Sequence, residues 1–239
     1  MNTVKFDKKD TLVIAHRGLS GIEPENTSSS FIAAGNRSYY GIETDIHRTA
    51  DGYLLINHDG NLKRIAGVDL AVEESDLDTL QKIILFDKDG SNTRPDIRPI
   101  RLEDYVKICK RYEKHSVIEL KSEFTGEDIA KIIEIVKNES YLENTTFISF
   151  KYENLLKIRR LLPRQSAQFL FKEFSDGIIE ALVRDRLDAD VYFGGLSEEI
   201  IAKLHAAGIK VNCWTVDDPE VAARLAEWGV DYITSNILE

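Results

Sequence analysis

The chain has 239 residues, 43% of them hydrophobic and 30% charged, which suits a globular fold with ample material for a core and argues against disorder. With 31 Lys and Arg against 41 Asp and Glu it carries a net charge of −10, a poor match for nucleic acid or an anionic membrane surface. No stretch approaches the roughly 18 uninterrupted apolar residues of a membrane-spanning helix.

The first ten residues lack an apolar signal-like run, so no secretory signal is visible. Short apolar, β-branched runs then recur, separated by segments with helical periodicity. Thr11–His16 is the first, followed by a helix over Ser28–Ser38 for which Asn26-Thr27 supplies a cap. Gly41–Ile46 is the second. From Arg48 to Ile100 the pattern turns irregular, with Asp51-Gly52, Asp89-Gly90, Pro95 and Pro99 as turn signals and one helix near Ser75–Phe86. Ser116–Lys121, Thr146–Ser149, Ala167–Phe171 and Asp190–Phe193 follow as strands. Ser197 caps a helix that Gly208 ends before strand Lys210–Trp214. Asp217, with Pro219 just inside, opens a last helix that Gly229 ends before strand Asp231–Thr234. Eight alternating units in this length match a single (β/α)₈ barrel domain over residues 1–239, with an insertion at about 48–100 roofing the strand-end face. An open doubly wound sheet fits less well, because no Gly-x-Gly-x-x-Gly follows the first strand.

Side chains alternate along a strand, so Glu43 and Asp45 share one face of the second strand, and Glu119 and Lys121 share one face of the third. The intervening apolar residues face the helices, which sends these four charges into the barrel. Three inward carboxylates are costly without a counter-charge, and an all-oxygen set selects a hard divalent cation, Mg²⁺ or Ca²⁺. The competing reading is a salt-bridged plug around Lys121.

Only 13 positions separate Asp45 from His58, too few for a parallel crossover. Asp51-Gly52 between extended runs signals a hairpin, and with those two as loop residues Ala50 pairs with Tyr53 and Asp45 lies opposite His58. A three-residue turn shifts that register by one. His16 ends the first strand and precedes Arg17-Gly18. Two histidines meeting three carboxylates at one mouth suit general acid–base work, with Arg17 on a phosphate oxygen. With a divalent ion, the three acids, Arg17 and Lys121 sum to +1, which suits a singly charged phosphodiester. His47 is set aside as lying on the face opposite Asp45, and His115 and His205 as helix-end or surface residues. Asp87–Asn92 has its glycine misplaced for a calcium loop and reads as a turn. Cys109 and Cys213 are far apart with no C-x-x-C, so a disulfide framework or thiolate zinc site is excluded, and two reduced thiols fit a cytoplasmic protein.

These residues resemble the glycerophosphodiester phosphodiesterases. The matching blocks are Ala15-His16-Arg17-Gly18, Pro24-Glu25-Asn26-Thr27, Glu43-Thr44-Asp45-Ile46, Thr49-Ala50-Asp51-Gly52 and His58-Asp59. Glu119-Leu120-Lys121, Ser149-Phe150, Trp214-Thr215-Val216 and Gly229–Thr234 continue in family order. The resemblance implies metal-dependent hydrolysis of a small glycerophosphodiester to glycerol 3-phosphate and an alcohol. It implies that Glu43, Asp45 and Glu119 bind the metal, and that His16 and His58 are the acid–base pair. Arg17 and Lys121 would contact phosphate, Asn26 would help position the metal or phosphate shell, and Trp214 would line the glycerol side. Asp217 stands where the family often has Asn, and Ser235-Asn236 follow Thr234 where the family usually has Asp with a Pro nearby. Both departures are placed outside the metal and proton chemistry and are expected to bear on alcohol specificity. Rival readings are a lysophospholipase D, for which no amphipathic anchor is evident, and a non-catalytic binder of phosphorylated ligands. No nucleic-acid or stable membrane partner is expected, and the state is monomer or homodimer.

Overall fold

The β-branched runs pair as strands in the computed structural model, which describes residues 2–239. They are β1 (Leu12–Ala15), β2 (Gly41–Arg48), β3 (Leu54–Ile56), β4 (His115–Leu120), β5 (Thr145–Ser149), β6 (Ser166–Phe171), β7 (Asp188–Tyr192), β8 (Val211–Trp214) and β9 (Tyr232–Ser235). All but β3 pair in parallel, in the order β1-β9-β8-β7-β6-β5-β4-β2, and β1 also pairs with β2. Eight parallel strands therefore close a (β/α)₈ barrel, with β3 added antiparallel to β2. The helices are α1 (Ser28–Gly35), α2 (Lys63–Ala66), α3 (Leu77–Leu80), α4 (Leu102–Arg111), α5 (Gly126–Asn138), α6 (Tyr152–Leu161), α7 (Ile178–Asp185), α8 (Glu198–Ala206) and α9 (Pro219–Glu227).

Alternation decides which strand residues meet helices. Val13, Ala15, Ile42, Ile46, Ile118 and Leu120 pack with Phe31, Tyr105, Val106 and Ile129 in one core, and Ala189, Val191, Val211 and Ile233 pack with Leu182, Ile201, Leu204 and Leu225 in another. The opposite parity faces inward, where Ile14, Val117, Ile148 and Leu170 form a small cluster of their own. The inward layer is not otherwise apolar. Gln168, Asp190, Asn212 and Thr234 are buried there, with Asn212 Nδ2 3.4 Å from Gln168 Oε1 and Thr234 Oγ1 3.1 Å from Asn212 Oδ1.

Local chemistry sets the helix ends. Thr27 caps α1 by accepting from Ser30 N–H, and Ser197 caps α8 by accepting from Ile200 N–H. At α9 the cap is Asp218, whose carboxylate accepts from Glu220 and Val221 N–H; Asp217, expected to open this helix, turns elsewhere. The helix expected near Ser75–Phe86 is reduced to α3. Beyond it, Leu85 and Phe86 N–H donate to the Ile97 and Ile65 carbonyls, so cross-segment bonds replace helical ones. That segment closes a separate apolar cluster of Leu55, Leu62, Val72, Leu77, Leu80, Leu85 and Ile97.

The β2–β3 register also differs from expectation. Arg48 pairs with Leu54 and His47 with Leu55, and Asn57 N–H donates to Asp45 C=O, so Asn57 rather than His58 lies opposite Asp45. The cause is a three-residue turn: Gly52 N–H bonds Thr49 C=O, Gly52 adopts φ +82°, and Thr49 N–H bonds Tyr53 C=O. Ala50 is the added turn residue, its N–H donating to Ser75 C=O of the insertion, while Asp51 accepts from Thr49 Oγ1 and Leu77 N–H.

One side chain fastens β2 to β4 beside the inward acids. The fully buried Tyr105 hydroxyl of α4 donates to Ile42 C=O at 2.6 Å and accepts from Val117 N–H at 3.0 Å. Tyr105→Phe leaves both backbone groups without this partner and is expected to lower unfolding free energy by about 1–3 kcal/mol in denaturant titration.

Candidate active site

The acids expected to converge do so. Carboxylate oxygens of Glu43, Asp45 and Glu119 all lie within 4.8 Å of one another, and all three residues are buried. β2 contributes the first two and β4 the third, in neighbouring strands whose register sets Asp45 beside Glu119. Lys121, just past β4, reaches Glu119 Oε1 at 2.9 Å and Asp45 Oδ1 at 3.4 Å. Arg17 approaches from the β1 side: its backbone N–H donates to Glu43 Oε2 at 2.8 Å and its Nε lies 3.4 Å from Asp45 Oδ2. The residue takes a left-handed φ of +54°, a conformation costing about 1–2 kcal/mol for a side-chain-bearing residue, and the bonds to Glu43 and from Asn26 N–H to its carbonyl offset this.

Asn26 Nδ2 donates to Asp45 Oδ2 at 2.8 Å, while its Oδ1 accepts from Thr44 at 2.9 Å, which fixes the amide orientation. The helix cap suggested for Asn26-Thr27 thus falls to Thr27 alone. Asp45 Oδ1 is buried and makes no hydrogen bond, with Lys121 Nζ 3.4 Å away as an ion-pair partner. Three buried carboxylates with an oxygen left free of hydrogen bonds are a donor set that fits a hard divalent ion.

His16 and His58 line the same cleft as Arg17, Glu43, Glu119, Lys121 and Trp214. The shifted hairpin register still delivers His58 there, because the chain turns after Asn57. Asn57 Nδ2 donates to Asp59 C=O, and the His58 ring Nδ1 lies 2.8 Å from Asp59 Oδ1. Arg64 of the insertion holds Asp59 at 2.7 Å and both oxygens of Glu25 at 2.8 Å, and Glu25 in turn holds Arg17 at 3.0 Å. A chain of ion pairs therefore links the two histidine loops. His47, expected on the opposite face, shares the inward one: residues 43, 45 and 47 have the same parity on β2. It is buried, its Nε2 lies 3.2 Å from His58 C=O and its Nδ1 meets Ser122 and Glu73. Strand alternation alone is enough to find it.

The cleft is also lined by the apolar Ile148, Phe150, Leu170 and Trp214 and by Asp190 and Thr234. Trp214 meets Phe150 edge-on at 5.5 Å and donates its indole N–H to the Asp190 carbonyl. Sequence reading missed Asp190. Asp217 and Asn236, expected away from the site, also require correction: Asn236 Oδ1 lies 2.8 Å from His16 Nδ1 and Asp217 holds Asn236, so Asn236 contacts the His16 ring and Asp217 stands behind it.

Burial and neighbouring charge divide the acids. Burial works against the Asp45 charge, but Lys121 and Arg17 outweigh it and hold its carboxyl below the usual range. Burial, then repulsion from Asp45, pushes Glu43 well up and Glu119 to about 8. Burial also lifts Asp190 to about 8. It pushes His16 down to about 4, aided by Arg17, and lowers His58.

The sequence profile of the glycerophosphoryl diester phosphodiesterase family matches residues 16–238, and the chain belongs to that family. It is 28% identical over 233 residues to a glycerophosphodiester phosphodiesterase of Caldanaerobacter subterraneus, covering 95% of this chain and 94% of that one. Among solved structures, an Oleispira antarctica phosphodiesterase in complex with the product sn-glycerol-3-phosphate superposes with a TM-score of 0.86 at 25% identity, over 95% of this chain and 93% of that one. A glycerophosphodiester phosphodiesterase from Parabacteroides distasonis gives 0.81 at 28% identity, over 96% and 94%.

The acid cluster makes a pH prediction. Between about pH 4.5 and 8 the folded protein without a divalent ion retains a proton on Glu119 that the unfolded chain has released, so stability falls as pH rises through that window, and the upward shift of Glu43 acts in the same direction. Asp190 adds to the same trend. A bound cation favours the ionised acids, so Mg²⁺ or Ca²⁺ is expected to raise Tm more at pH 8 than at pH 5. Melting curves that ignore both ions at pH 8 would count against a metal at this cluster.

Proposed function

We propose that this member of the glycerophosphoryl diester phosphodiesterase family hydrolyses small glycerophosphodiesters to glycerol 3-phosphate and an alcohol, using Mg²⁺ or Ca²⁺ and the His16–His58 pair. The observation that carries the reading is the meeting of two imidazoles, two cationic side chains and three carboxylates in one cleft. The product held by the Oleispira antarctica relative supports the substrate class. One domain over residues 1–239, its segment 48–100 holding the His58 loop, would suffice for the reaction. Two free, buried thiols, Cys109 and Cys213, support a cytoplasmic setting, and no helix among the described residues is long and apolar enough to cross a membrane.

Glu43, Asp45 and Glu119 would hold the divalent ion, which when bound supplies Lewis-acid stabilisation of phosphoryl charge. The Arg17 guanidinium and Lys121 ammonium bind non-bridging phosphate oxygens and stabilise the charge that grows on them. One imidazole accepts the nucleophile's proton, and burial, which lowers the proton affinity of both rings, keeps that base neutral at pH 7. The other must be protonated before it can donate to the leaving alkoxide, a form that Asp45 and Asp59 favour at His58. Asn26 keeps Asp45 oriented toward the cluster. Trp214 and Phe150 cover the carbon skeleton of the glycerol moiety, excluding water from one side of the phosphorus.

The test is an assay of purified protein on glycerophosphocholine, glycerophosphoethanolamine and a lysophospholipid, with Mg²⁺, Ca²⁺ or EDTA. Release of glycerol 3-phosphate that EDTA abolishes is expected. His16→Ala and His58→Ala are each expected to lower kcat at least ~100-fold. Turnover confined to the lysophospholipid would select the lipid reading, and no turnover of any diester would leave a phosphorylated-ligand binder.

A further inference from the structure

We infer that Asp217 and Asn236 form a positioning relay that holds the His16 proton on Nδ1, making Nε2 the nitrogen that exchanges a proton with the reacting oxygen. The inference deepens the proposed function and rests on His16 being one of its acid–base pair.

The relay is built from groups whose donor and acceptor roles are fixed by their chemistry. Three donors converge on the Asp217 carboxylate: Ser235 Oγ at 2.9 Å and Asn236 backbone N–H at 2.8 Å on Oδ1, and Asn236 Nδ2 at 2.6 Å on Oδ2. A carboxylate that accepts all three offers no proton, so the Asn236 amide must turn its nitrogen toward it. The amide oxygen then faces the other way, where it meets His16 Nδ1 at 2.8 Å and Ser20 Oγ at 2.7 Å. An amide oxygen only accepts, so the ring nitrogen opposite it must carry the hydrogen. Each step follows from the one before, and the sequence of roles runs from an acid, through an amide, to an imidazole. Asp217 is free for this work because Asp218 caps α9. Asn236 is free for it because it lies just past β9, with inward parity shared with Thr234. The paired departures noted at 217 and 235–236 therefore meet each other in space, at the Nδ1 edge of His16.

The isosteric variant Asp217→Asn discriminates. Its new amide keeps an oxygen on Ser235 and the Asn236 N–H, and presents a nitrogen where the second carboxylate oxygen was. Asn236 must then flip, offering its own Nδ2 to His16 and moving the ring proton to Nε2. Histidine-¹⁵N spectra at pH 8, with His16 assigned by its loss in His16→Gln, should show the Nδ1–H form in the unsubstituted protein and the Nε2–H form in Asp217→Asn. With glycerophosphodiester substrate, kcat should fall about 10–100-fold while KM stays within about threefold. The double variant Asp217→Asn/Asn236→Asp restores an acceptor opposite Nδ1, with the amide at position 217 donating to the carboxylate at position 236, and should recover both the spectrum and kcat. A purely structural role would lower Tm without exchanging the tautomers. An Nε2–H ring in the unsubstituted protein overturns the relay, whether or not Asp217→Asn folds, as does an unchanged tautomer in a folded Asp217→Asn. If no diester is turned over, the proposed function fails while the spectra still decide the relay.

Discussion

Like charges held close together in a place shielded from water set the terms for this molecule. Three carboxylates lie within 4.8 Å at the barrel mouth, and two unit charges at that spacing repel by roughly 3 to 4 kcal/mol even at an effective dielectric of about 20. Arg17 and Lys121 straddle Asp45, which favours its ionised form, while burial and repulsion from Asp45 shift Glu43 and Glu119 toward their protonated forms. Asp45 Oδ1, ion-paired to Lys121 but without a hydrogen bond, is the local sign of that imbalance. The acids would attract a divalent ion, and the net positive charge left once it is bound would in turn suit an anionic diester.

The barrel makes such crowding tolerable by supplying the acids from strands rather than loops. β2 and β4 are adjacent and in register, and the buried Tyr105 hydroxyl ties them together from behind. Everything that must approach the acids from outside is then tethered to something else. Arg17 is held by Glu25, Glu25 and Asp59 by Arg64, and the His58 ring by Asp59, so the insertion braces a histidine that a short hairpin would leave free. His16 is braced from the opposite side by Asn236. The two imidazoles thus enter one cleft with different second partners, a carboxylate for one and an amide for the other.

Most of the architecture was legible because period-2 alternation survives folding. It placed Glu43, Asp45, Glu119 and Lys121 inward and Ile42, Ile46, Ile118 and Leu120 against the helices, where they are found. The same rule, misapplied at His47, hid a buried residue that supports the His58 carbonyl. Other differences came from interactions between distant segments. The Ser75–Phe86 helix shortened because Ile65 and Ile97 carbonyls, not helical ones, receive Phe86 and Leu85 N–H. The hairpin register slipped because Ala50, expected to pair with Tyr53, joins the turn and gives its N–H to Ser75 C=O of the insertion. Asp190 sits in a polar interior layer shared with Gln168 and Asn212, and no local pattern marks a strand residue as lining a cleft.

The amino-acid order alone determined the alternation of strands and helices, the parity that aims the acids inward and the family to which the chain belongs, because each is written in spacing and residue type. Tertiary structure decided which side chains complete the site. Asp217 was an expected helix cap until the neighbouring Asp218 took that position and Asn236 came within reach from β9. Such pairings depend on strands brought together by barrel closure, and closure is a property of the whole ring rather than of any stretch within it.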